Sequence, residues 1–202
     1  MEGSQEVSWN PQLELLLKEE GEKALSLFWL HSHSEARYGH LNHFVALPVI
    51  FLSALNGATS IGSESLFGGA SFAPMLVGFL SIGVGLLNSV GTYFAWSRRA
   101  EGHKIAALSY QKLYRFLAIE LSLPRKERMT ARDLLKVVRE TAERLAEVSP
   151  SVSPAIIHEF RENFDKHPSA KPEVANGLHL IEVFPEEGAK PPERVKITLA
   201  EV

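Results

Sequence analysis

The chain has 202 residues, 45% hydrophobic and 22% charged, with a formal net charge of -3 and no cysteine. The mild negative charge, with no nucleic-acid-binding motif, argues against a nucleic-acid partner. The missing thiols exclude disulfides, thiolate metal sites and cysteine nucleophiles.

Residues 1–8 read as frayed, and their acidic, polar character is not that of a cleavable signal peptide, so the first apolar run is expected to insert as an internal signal anchor. Asn10-Pro11 is a helix start, a capping side chain followed by proline in the first turn. From Pro11 to Arg37, Leu13, Leu16, Leu17, Ala24, Leu27, Phe28 and Leu30 fall at helical spacing among acids and lysines. That is an amphipathic segment, with Gly21 as a point of weakness or kinking. Trp9 and Trp29 suit either a membrane interface or the interior of a helical bundle. His31, His33, His40 and His43 invite a metal reading, but Glu35 is the only carboxylate placed to complete a set, so no metal site is expected.

Between Phe44 and Trp96 the only charged side chain is Glu64. Two apolar runs, His43–Ile61 and Phe72–Trp96, flank a linker, Gly62–Ser71. A helix needs roughly 20 apolar residues to cross a bilayer core of about 30 Å, and soluble helices normally keep a charged face. The pair therefore reads as a transmembrane helical hairpin, with a local bend at Pro48. Lys18, Lys23 and Arg37 precede it, Arg98, Arg99 and Lys104 follow it, and the linker is acidic. The positive-inside rule then places both termini in the cytoplasm.

Each run carries one stripe of small and polar groups: Asn42, Ala46, Val49, Ser53, Asn56 and Ser60 in the first, Ser81, Gly85, Asn88, Thr92 and Ala95 in the second. Such stripes suit close helix packing or the lining of an oligomeric pore. Intramembrane amides are costly without partners, so Asn56 and Asn88 favour self-association under either reading. The pore-lining candidates are Ser53, Asn56, Ser60, Ser81, Asn88 and Thr92. Glu64 would sit at the outer mouth, and Arg98 and Arg99 at the inner one.

Past Trp96 a seam of Leu86, Ser89, Tyr93, Trp96, Ala100, His103, Ala107, Tyr110, Tyr114, Leu117 and Leu121 predicts one unbroken helix from 72 to 122. His103 on this seam reads as a packed core histidine. Pro124 ends the helix, and Thr130 with Asp133 caps the next. Leu134, Leu135, Val138, Ala142, Leu145 and Val148 form its apolar face. Ser149–Pro154 is a turn, and Pro154 starts a short helix through Phe164. His167–Asn176 is a polar linker. Leu178–Phe184 and Val195–Val202 alternate like strands around Pro185–Pro192.

The expected fold is an all-α membrane protein: residues 1–43 a cytosolic amphipathic helix, 44–96 a transmembrane hairpin whose second helix extends into the cytosol, 97–165 a cytosolic helical bundle, and 166–202 a disordered tail or small β-hairpin. Arg99-Ala100-Glu101-x-His103-x-x-Ala106-Ala107-x-x-Tyr110-x-x-Leu113, with the later Ser149-Pro150-x-Val152-x-Pro154, resembles the SLATT family of two-helix membrane effectors over roughly residues 9–165. Ala100, Glu101, His103 and Tyr110 carry the motif. The resemblance implies a pore-forming effector with no assigned catalytic site, triggered by a separate nucleotide-sensing or signalling partner.

No phosphate loop, metalloprotease motif or nucleophile elbow points to an enzyme or a cofactor. The expected function is a homo-oligomeric pore or ion channel in the plasma membrane, whose partners are the lipid bilayer and further copies of itself. The alternative is a membrane-anchored scaffold or sensor that conducts nothing.

Overall fold

The computed structural model describes residues 7–68 and 72–177. Asn10 starts its first element: the side-chain oxygen accepts the Leu13 N–H at 2.8 Å, Pro11 opens the first turn, and Glu14 places negative charge at the positive end of the helix dipole. From there α1 spans Pro11–Phe67, 57 residues with a kink at Gly62, or about 85 Å along its path at about 1.5 Å per residue. The amphipathic and apolar segments are thus one helix. Gly21 and Pro48 keep helical dihedrals, and the only non-helical residue inside is Gly62 at φ -102°, ψ 17°. Proline has no N–H to donate, so Pro48 leaves the carbonyl one turn before it without its helical partner. The helix also extends into the segment expected as a linker, carrying Glu64, and ends on Gly68 at φ 57°.

The chain returns as α2 (Ala73–Phe94) and α3 (Trp96–Ser122). One unbroken helix is expected here, but Ala95 between them is left-handed, at φ 48°, ψ 40°. The break changes which face meets α1. In α2 that face holds the half-buried Val77, Leu80, Val84, Leu87 and Gly91. Continued at helical spacing it would turn Arg98 and Ile105 inward, yet both are exposed, Ile105 by 60%. Instead Trp96, Ala100, His103, Ala107 and Tyr110 face inward. The long seam therefore holds only below the break: Leu86, Ser89 and Tyr93 are exposed, Tyr93 by 82%.

Despite this break α1 stays antiparallel to its partner throughout. Gly21 faces Leu117, His31 bonds His103, Gly91 approaches Val45, and Asn56 bonds Ser81. From Gly21 to Asn56 the first helix advances 35 positions while its partners recede 36.

The half of this hairpin formed by the start of α1 and by α3 carries the bundle. Pro124 forces Leu123 into an extended conformation and stops α3. Thr130 caps α4 (Ala131–Val148): its hydroxyl accepts the Asp133 N–H and donates to that residue's carboxylate at 2.6 Å. Leu13, Leu17, Ala24, Tyr110, Leu113, Leu117, Leu134, Val138 and Leu145 share one core, whereas Val148 is 69% exposed. Pro154 starts α5 (Pro154–Phe164), which packs Ile156 and Phe160 on Leu30. The polar segment beyond is also docked. It forms the single turn α6 (Glu173–Asn176), buries Pro172 and Ala175, and donates the Ala170 N–H to Glu22 at 2.7 Å. The tryptophans belong to the bundle: Trp9 donates to the Met129 carbonyl, and Trp29 stacks on His33 and meets Phe160 and Phe164.

The other half is different in kind. Among residues 44–62 and 74–96 only Val49 is buried, and Phe44 is 80% exposed, Phe51 65% and Phe79 68%. Two helices are thus long and apolar enough to cross a membrane. The described residues contain no strand. The segments Leu178–Phe184 and Val195–Val202 lie outside the described residues.

Candidate functional site

The polar stripes of the apolar half lie beside the helix contact and only partly within it. Position 81 reaches across from the flank of α2: the Asn56 amide donates to Ser81 Oγ at 2.8 Å, and that hydroxyl donates to the Val77 carbonyl at 2.9 Å. The Asn56 side-chain oxygen is buried with no hydrogen-bond partner among the described residues. Ser53, Ser60, Asn88 and Thr92 are exposed, and their side chains make no hydrogen bond among the described residues. The two exposed members on α2, Asn88 and Thr92, are one turn apart and continue the flank that starts at Ser81.

Of the mouth residues, Glu64 lies on the last turns of α1, beyond Gly62. Arg98 and Arg99 are exposed at the start of α3, and neither is paired with a carboxylate among the described residues. The Arg99 guanidinium lies 5.9 Å from the centre of the Tyr38 ring on α1, a cation–π distance.

The motif residues divide by depth. Glu101 is exposed and Ala100 half-buried, but His103 and Tyr110 are buried. His103 Nδ1 lies 2.9 Å from His31 Nδ1, in hydrogen-bond contact. Tyr38 stacks on His103 at 5.5 Å and Tyr110 on His31 at 5.5 Å, while the two imidazole centres are 5.1 Å apart. The four rings form a column drawn alternately from α1 and α3. Ser149, where α4 turns toward α5, donates to the Tyr110 hydroxyl at 3.4 Å. Burial pushes the His31 imidazole down to about 4, with the nearby His103 adding to the effect. Burial also lowers His103.

The sequence reading groups His31 with its neighbours in the chain and overlooks His103 as its partner. His33 instead bonds the Trp29 carbonyl, and His40 and His43 are exposed. The signal that joins His31 to His103 is the antiparallel register, which emerges only once α1 is known to continue unbroken past Arg37. No group of three or more potential ligands among the described residues could hold a metal.

These features define an all-α protein: an antiparallel helical hairpin with an apolar half and a polar, bundled half. Comparison with protein-family models, curated proteins and solved structures gives no match.

Proposed function

We propose that the apolar half spans the plasma membrane as a two-helix hairpin, with both termini in the cytoplasm, and that several copies assemble into an ion-conducting pore. The exposed Phe44, Phe51 and Phe79 suit lipid; in water a surface of that extent promotes aggregation. Arg37, Arg98, Arg99 and Lys104 cluster at one end of the apolar half, as the positive-inside rule expects of a cytoplasmic boundary.

One observation carries the assembly. Asn88, with Thr92, Ser53 and Ser60, faces outward on the apolar half and has no hydrogen-bond partner among the described residues. Unsatisfied amides in hydrocarbon are costly. Water in a pore or a polar group from another copy supplies the missing partner. Two helices cannot enclose a conduit, so conduction requires several chains around an axis. Opposite charges at Glu64 and at Arg98 and Arg99 leave the choice of ion open. The resemblance to the SLATT family supports the same reading and adds gating by a separate signalling partner.

The second reading, a membrane-anchored scaffold or sensor, draws on the Asn56–Ser81 bond, which satisfies one polar pair inside a single hairpin. Mass measurement in nanodiscs separates assembly from its absence. A multiple of the chain mass is expected, and a monomer at every protein-to-lipid ratio removes the pore.

A further inference from the structure

We propose that the Tyr38–His103–His31–Tyr110 column is an acid-sensitive latch that holds α3 against α1 below the Ala95 break and releases when both imidazoles are protonated. A bond between two Nδ1 atoms 2.9 Å apart needs one proton between them: one ring donates, the other accepts. A first added proton can enter at a distal nitrogen and leave that bond in place. A second fills the accepting nitrogen, so two N–H groups and two positive charges meet in a buried seam. No retained geometry accommodates that state, and separation of α3 from α1 relieves it.

The surroundings favour this response. Among the described residues, the charged and titratable groups in ring contact with the pair are Tyr38 and, beyond it, Arg99 at one end, and Tyr110 at the other. The neighbouring α5 offers Ile156 and Phe160 against Leu30, and the α4–α5 turn offers the Ser149 hydroxyl and the Pro150 ring, 3.7 Å from where a side chain at Gly102 would begin. Among the described residues no carboxylate bonds either imidazole, so an added charge gains no ion pair there. Both histidines are held below the ordinary value, His31 at about 4. The closed seam thus binds fewer protons than an open one. Its stability is complete above the free-histidine value of about 6.5 and declines as pH falls from there toward about 4.

The Ala95 break lets α3 turn without carrying α2 with it. Arg98 and Arg99 lie between break and column, so release displaces them. That displacement would gate the inner mouth, a consequence that rests on the proposed pore; the latch itself does not.

The natural chain has no cysteine, so exposed Ala36→Cys and Lys104→Cys carry spin labels on α1 and α3 without competition. In nanodiscs at about pH 7.5, pulsed dipolar spectroscopy should give one short distance. A longer, reversible population should grow as pH falls below about 6.5. At about pH 4.5 the Glu14 carboxyl, held near 2, still pairs with Arg125 and Arg128, and unchanged helical circular dichroism over the same range separates opening from global unfolding. In a His31→Gln/His103→Gln background, whose amides bond without titrating, the distance should stay short. An unchanged distance in the parent down to pH 4.5, or the same opening in the glutamine background, overturns the latch. Should that double variant fail to assemble, histidine nitrogen resonances of the parent decide: titration coincident with the distance change supports the latch, and titration at the ordinary value with no distance change overturns it. Distance switching without ion flux at any pH keeps the latch and removes the pore. Flux without switching keeps the pore and removes the latch.

Discussion

Asn56 gives its amide to Ser81 at 2.8 Å while its own side-chain oxygen is buried with no partner among the described residues. One hydrogen bond inside the hairpin is thus coupled to one missing donor. The oxygen is closed off within the single hairpin, so in the proposed assembly the helices would have to shift around Asn56 for a second copy or a pore water to supply that donor. Asn56→Leu should therefore change the stability of the hairpin itself by less than about 1 kcal/mol, because the lost bond is offset by the lost desolvation cost. It should weaken assembly by about 1–2 kcal/mol per contact. Oligomer mass against dilution in lipid measures this, and an unaltered dissociation curve counts against the shared donor.

Gly21 tests the close contact at the other end. A Cβ there would meet Leu117 at 3.6 Å, ordinary van der Waals contact. Gly21→Ala should raise stability by about 0.5–1 kcal/mol through helix propensity. Leu117→Ala, at a position 1% exposed in the core, should lower it by about 2–5 kcal/mol. Denaturant titration of the detergent-solubilised protein reads both, and a destabilising Gly21→Ala would show that the helices cannot bear even this contact.

Acid response divides between two places. Hydrogen bonds from Arg125 and Arg128 hold the Glu14 carboxyl at about 2, below its ordinary 4.5. A depressed carboxylate contributes stability above about pH 4.5 and loses it as pH falls toward about 2. Glu14→Gln should remove the component of acid unfolding in that window. A parent and variant with superimposable melting temperatures from pH 5 to pH 2 would show that the cluster contributes nothing.

Much of this fold is legible in the sequence because it depends on local chemistry. Asn10-Pro11, Thr130 with Asp133, Pro124 and Pro154 each fix a helix end through a side-chain cap or a missing N–H. The uncharged stretch marks the apolar half by itself. Two features are not local. Ala95 has no glycine or proline to announce its left-handed turn, so the seam reads as continuous through it. The His31–His103 contact requires the register between two helices 72 positions apart in sequence. The polar segment 167–176 hides its docking because only Pro172 and Ala175, both short on apolar surface, are buried.

The proposed topology rests on the one basic end of the apolar half. In intact cells an impermeant thiol reagent should label Ser65→Cys and leave Lys166→Cys unreacted until the membrane is opened. Labelling of both, or of Lys166→Cys alone, reverses or abolishes the proposed orientation.

Ion flux through the purified chain in sealed liposomes tests the pore most directly. The protein should discharge an imposed ion gradient in proportion to its amount. Asn88→Leu, which removes an exposed amide without a partner among the described residues, should cut that flux severalfold while the oligomer mass stays the same. Liposomes that hold their gradient with assembled, correctly inserted protein in the bilayer would contradict the account.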